Sequence, residues 1–166
     1  LAAERADTAY PRYHAQSSAA ASPLDWRVTH LGAEVAIVAL GNTYPLAEQV
    51  VAELAAHHDI DATLIDPRQC TSLDERMLAM LRDTKHELVI TLEDGQLEGG
   101  WGEKVTAWYA NNGWMSTAAI HADAGSDAVT DFNVPYDIPR VLNFGAAKEF
   151  TDRVPLADLN KRYGMT

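Results

Sequence analysis

Six consecutive residues, Val35-Ala36-Ile37-Val38-Ala39-Leu40, are all apolar. A strand with one wet face alternates apolar and polar residues, so an unbroken run of this length predicts a strand covered on both faces. Gly41-Asn42-Thr43 then turns the chain, and Leu46, Ala47, Val50, Val51, Leu54 and Ala55 recur at helical spacing as one apolar stripe. The cycle repeats. Ala62-Thr63-Leu64-Ile65 predicts a second strand, closed by Asp66-Pro67-Arg68. Ser72-Leu73-Asp74-Glu75 has the form of a capping box, in which Ser72 and Glu75 satisfy free backbone donors at a helix start. Leu73, Met77, Leu78 and Leu81 supply the buried face behind it. Glu87–Leu92 is the third predicted strand, and Trp101, Val105, Trp108 and Tyr109 mark a third helix.

A fourth strand is expected within Ser116–His121 and a fifth at Arg140-Val141-Leu142-Asn143, with Leu156, Leu159 and Tyr163 in a terminal helix. Alternating strands and helices with short connections imply an α/β three-layer sandwich around a mostly parallel five-stranded sheet. Residues 33–166 form the expected domain. Residues 1–32, poorly patterned and containing the Gln16–Pro23 stretch Q-S-S-A-A-A-S-P, form a linker or wrapped extension. Residues 122–138 read as a surface loop or insertion.

Charge narrows the partners. Acids outnumber bases 24 to 13, a net charge of −11, which argues against nucleic acid or an anionic membrane because phosphate contacts need lysine and arginine. The single Cys70 excludes an internal disulfide and a cysteine-based zinc site, and fits a reducing cytoplasm. No run approaches the roughly 20 apolar residues of a membrane span. The start, L-A-A-E-R-A-D, is not a signal peptide and lacks an initiator methionine, as expected of a piece of a longer protein.

The strongest local signal is T-L-E-D-G-Q-L-E-G-G-W-G-E-K at 91–104, where a strand runs through glycines into a helix. Such corners often cradle phosphates, because free amides and the helix dipole both favour an anion. The spacing matches neither G-x-G-x-x-G nor G-x-x-x-x-G-K-[ST]. Glu93, Asp94, Glu98 and Glu103 face only Lys104 here, and packed carboxylates repel a phosphate. A structural corner is therefore favoured over an anion site.

Other candidates are thinner. His57-His58 near Asp59 and Asp61 sit where a helix ends, a place where imidazoles simply complement the dipole. His121 ends the expected fourth strand and is a solvated or core-edge residue before it is a site residue. No G-x-S-x-G elbow activates a serine, and Gly125-Ser126-Asp127 lies in the polar loop. Cys70 precedes a helix that could lower its pKa, yet no base is assignable, so an inert thiol is favoured. Arg68 either contacts an anion or caps its turn. From residues alone no catalytic, cofactor-binding or metal-binding residue is assigned. The contacts worth testing as an interface or anion site are Arg68, Glu93, Gly99, Gly100 and His121.

The order of elements resembles a known family. The segments E-V-A-I-V-A-L-G-N-T-Y-P-L-A-E-Q-V (34–50), I-D-A-T-L-I-D-P-R-Q-C-T-S-L-D (60–74) and V-I-T-L-E-D-G-Q-L-E-G-G-W-G-E-K (89–104) look like the C-terminal domain of transketolase-like thiamine diphosphate enzymes. Within that group they are most similar to 1-deoxy-D-xylulose-5-phosphate synthase, with Trp101 where the synthase corner has phenylalanine. Gly145, Lys148-Glu149-Phe150, Leu156 and Leu159 also resemble the synthase tail, and the resemblance spans roughly residues 33–163. The β subunits of 2-oxo-acid dehydrogenases share much of the pattern.

The resemblance implies a parent that joins pyruvate to glyceraldehyde 3-phosphate with loss of carbon dioxide, feeding isoprenoid and thiamine synthesis. Thiamine diphosphate and magnesium belong to that parent, held by a G-D-G…N motif in domains that precede this one. No G-D-G occurs in this chain. The implied partners are the parent's remaining domains and a second copy in a homodimer. Ala9-Tyr10-Pro11-Arg12 resembles the synthase's R-Y-P-R-G, with Ala9 at the place of a phosphate-contacting arginine and Tyr13 at that of the glycine. No catalytic residue carries over. A free-standing ligand- or protein-binding module using the strand ends near Gly41, Asp66, Glu93 and His121 is the competing expectation.

Overall fold

The structure is a computed structural model and describes residues 24–113, 139–149 and 154–165. Its strands are β1 (Arg27–His30), β2 (Val35–Ala39), β3 (Thr63–Asp66), β4 (Leu88–Gln96) and β5 (Arg140–Ala146). Its helices are α1 (Tyr44–His58), α2 (Glu75–Asp83), α3 (Trp101–Asn111) and α4 (Leu156–Arg162), with a 3-10 turn at Gly41–Thr43. The sheet order is β1-β3-β2-β4-β5, and every pairing is parallel except β1 with β3.

The apolar run of β2 lies at the sheet centre, where alternate residues serve opposite faces. Ala36 and Val38 join Ile65, Val89, Met77, Leu78, Leu81, Trp101, Val105 and Tyr109 in the core under α2 and α3. Ile37 and Ala39 join Leu64, Leu92, Ala47 and Val51 under α1. Two cores on two faces make the three layers that the periodicities predict. The α1 stripe is narrower than its spacing suggests: Ala47 and Val51 are buried, whereas Ala55 faces solvent.

Two expectations change along the sheet. The sheet recruits Arg27–His30, from the stretch expected as a linker or wrapped extension, as its antiparallel edge. Arg27 pairs with Asp66 in register and through a 2.9 Å ion pair, and Trp26 beside it is 2% exposed. Four residues with only one apolar position carry no periodic signal, so a neighbour had to reveal them. β4 extends to Gln96 instead of ending at Leu92, because β5 continues beside it to pair Ala146 with Gln96. The expected strand within Ser116–His121 and the loop at 122–138 lie outside the described residues.

The helix cap also moves. Asp74, not Ser72, caps α2: its carboxylate accepts from Met77 N at 3.0 Å and from Trp26 N at 3.0 Å. Ser72 instead belongs to a turn organised by Gln69, whose side-chain oxygen accepts from Thr71 N and Ser72 N. A carboxylate can serve two donors from separate elements, which joins the entrance of β1 to α2. We expect Asp74→Ala to cost about 2 kcal/mol and to lower the thermal midpoint by roughly 4–8 °C, measured by calorimetry.

Candidate functional site

Ligands of open α/β sheets sit beyond the strand carboxyl ends, where the order reverses. Here that place is between β2 and β4, since β3 lies on one side of β2 and β4 on the other. The chain itself closes the crevice. Leu40 N donates to Leu92 O at 2.8 Å, and the Thr43 hydroxyl lies 3.0 Å from both Leu40 O and Leu92 O. Asn42 Nδ2 donates to Asp94 Oδ2 at 3.0 Å above them. Gly41 turns the chain at φ +64, a conformation that costs a residue with a Cβ more than it costs glycine.

The glycine corner follows from one irregularity. Between the pairs Leu92–Phe144 and Gln96–Ala146, Glu93-Asp94-Gly95 opposes the single residue Gly145. Such a bulge re-aims side chains. Glu93, 4% exposed, accepts from Trp101 N at 2.8 Å through Oε2 and from Gly102 N at 2.9 Å through Oε1. The anion at the α3 N-terminus is thus the protein's own carboxylate.

The neighbouring glycines make room for it. A Cβ on Gly100 would lie 2.3 Å from Gln96 O and 2.5 Å from Glu93 Oε1. Gly99, at φ +73, donates its N–H to Glu103 Oε2 at 2.8 Å, and Lys148 pairs with Glu98 at 2.6 Å. Glu93, Gly99 and Gly100 therefore meet at one helix start, where their roles are mutual support.

Arg68 is elsewhere, at the end of β3. Its Nε donates to the Asp25 carbonyl at 2.8 Å, its Nη2 contacts the same oxygen, and its backbone N–H donates to Asp66 Oδ1 at 2.8 Å. The guanidinium so holds the segment leading into β1. A shallow groove beside it is lined by Leu40, Gly41, Tyr44, Pro45, Asp66 and Arg68. His121 lies outside the described residues. His57 and His58 close α1, with His57 Nε2 3.7 Å from Glu53, and Cys70 is exposed. Among the described residues no three His, Cys, Asp or Glu side chains are placed to hold a metal ion, and no helix is long and apolar enough to cross a membrane.

A thiamine diphosphate group does not fit the described corner. Its diphosphate would need free donors, yet Glu93 takes the amides of Trp101 and Gly102, and Glu103 takes that of Gly99.

One strongly perturbed polar site was missed in the sequence. His86 is 2% exposed and is linked to Thr63 Oγ1 at 2.9 Å and to Thr84 Oγ1 at 3.0 Å. Thr63 Oγ1 also accepts from Gly32 N at 3.0 Å, which leaves its proton for His86 Nε2. Thr84 Oγ1 donates to Met80 O at 2.8 Å and so accepts from His86 Nδ1–H. The ring is a neutral link in a buried chain. Burial lowers its pKa to about 4, against a smaller opposing effect from the Leu81 carbonyl. Thr63 and His86 are 23 residues apart, and no spacing rule connects them. Burial likewise raises the Tyr109 pKa, and its hydroxyl donates to Leu78 O at 2.9 Å.

The sequence model of the family described as transketolase, C-terminal domain, matches residues 24–144. Among curated proteins, the 1-deoxy-D-xylulose-5-phosphate synthase of Shouchella clausii is 34% identical over 67% of this chain and 16% of its own length. That of Bordetella avium is 36% identical over 61% of this chain and 16% of its own. The chain thus spans well under a fifth of these relatives. A solved structure of a split-gene transketolase, in an inactive β4 tetramer, superposes with a TM-score of 0.64 at 25% identity, covering 87% of this chain and 39% of that one.

Proposed function

The chain belongs to the transketolase C-terminal domain family, and on that footing we propose that it is the C-terminal domain of a 1-deoxy-D-xylulose-5-phosphate synthase-like enzyme. The parent would condense pyruvate with glyceraldehyde 3-phosphate in the cytoplasm, releasing carbon dioxide, with thiamine diphosphate and magnesium held by its other domains. This domain, residues 33–166 with the β1 edge added, would buttress those domains and the parent's homodimer and would carry no catalytic residue. The synthase relatives support the choice of parent.

One observation carries the supporting role: the amides at the glycine-rich start of α3 are taken by Glu93. Titration calorimetry of this chain with thiamine diphosphate and magnesium should therefore show no stoichiometric heat. Clear one-to-one binding would defeat the reading.

A second reading is favoured by the split-gene relative. Under it the parent is a transketolase encoded in pieces, and this domain lies in one of them. The sequence on the N-terminal side of Leu1 separates the two, because a synthase would place its middle domain and G-D-G motif upstream in the same polypeptide.

A further inference from the structure

We propose that Asn112 is a site of spontaneous modification, the place where this domain converts an amide to a carboxylate without an enzyme. Asn112 is the only asparagine of the sequence followed by glycine. With no side chain on the next residue, the Gly113 amide nitrogen has the least hindered approach to a neighbouring side-chain carbonyl carbon.

The reaction balances with water alone. The Gly113 nitrogen, giving up its proton, bonds to Asn112 Cγ. The Cγ–Nδ2 bond breaks, and the nitrogen leaves as ammonia, carrying its own two hydrogens and the proton lost from Gly113. Water then opens the five-membered imide at either carbonyl, leaving an aspartyl or an isoaspartyl link. The net change is one water consumed, one ammonia released and one negative charge added.

Position decides the rate. Asn112 and Gly113 are both exposed and stand at the end of α3, with Asn112 at φ −88 and ψ 7 and Gly113 at φ +71. Two hydrogen bonds hold the reacting atoms apart: Asn112 Nδ2 donates to Trp108 O at 2.8 Å, and Gly113 N donates to Ala110 O at 3.0 Å. Both belong to a last helical turn, which opens far more readily than the core. Asn143 is the contrast. Its Oδ1 accepts from Thr91 at 2.7 Å, its Nδ2 donates to Thr106 at 2.8 Å, and Phe144 follows it in β5.

The product would lose the Nδ2 donor and set a carboxylate against the negative end of the helix dipole, so modification loosens the turn that permitted it.

The test is peptide mapping by mass spectrometry after incubating the folded chain in neutral and mildly alkaline buffer. Beside it run the urea-unfolded chain and the Asn112→Gln variant. A mass gain of about 1 Da, split between aspartyl and isoaspartyl peptides, is expected at Asn112. It should accumulate at least about tenfold faster there than at Asn143 in the folded chain, be faster still in urea, and be absent at position 112 in the variant. Equal rates at Asn112 and Asn143 in the folded chain overturn the proposal, whatever the unfolded chain does.

Discussion

Glu93→Ala is expected to remove about 3–5 kcal/mol of stability, a large share of the roughly 5–15 kcal/mol that holds a domain of this size. The substitution deletes the acceptor of two buried donors, Trp101 N and Gly102 N. It also removes the charge that faces the positive end of α3. The alanine methyl that remains cannot accept a hydrogen bond, so the two amides would stay buried and unsatisfied. Glu93→Gln keeps the shape but turns an –NH₂ toward one of the two N–H groups, and should lose about 2 kcal/mol, less than alanine. Urea unfolding of the three proteins measures the order. If the alanine variant unfolds at the wild-type midpoint, Glu93 is not what holds the corner. Gly100→Ala should be comparably harmful for a steric reason, since its Cβ would lie 2.3 Å from the Gln96 carbonyl and 2.5 Å from Glu93.

The second large effect is a loss of stability in acid centred on His86. Its pKa falls from 6.5 in the unfolded chain to about 4 in the fold. Between these values the unfolded state binds the extra proton, so stability decreases as pH falls through that window. The contribution is complete above pH 6.5 and lost below about pH 4. The loss amounts to about 3 kcal/mol. Protonation would place a second donor where Nε2 accepts from Thr63, breaking the chain that runs from Gly32 to Met80. Urea midpoints measured across this range should slope for the wild type and flatten for His86→Gln, even though the variant is less stable at neutral pH. Identical slopes would sink the assignment.

Both effects bear on the supporting role proposed for the domain. The corner and the His86 chain lie on different elements, yet each ties a loop to the strands that define the sheet. Under that proposal a buttress would act by keeping its surface rigid, and these are polar contacts that hold loops in place. Neither needs a ligand.

The layers of the fold were legible because they rest on short-range patterning. An unbroken apolar run, as in Val35–Leu40, is stable only when covered twice, and apolar residues three and four apart can only build one helical face. The acids around the glycine corner are likewise plain in the sequence, and they disfavour a phosphate because like charges repel in any geometry. Tertiary structure decided what depends on distant neighbours. β1 is a strand because β3 offers an edge, and Asp74 caps α2 because Trp26 N arrives beside it. Glu93 turns inward because Gly145 leaves room opposite a bulge, and His86 stays neutral because the closed fold buries it, beside Thr63. Hydrophobic periodicity is written along the chain one residue at a time, whereas a buried polar group is defined by its partner, and the partner is chosen only when the chain closes on itself.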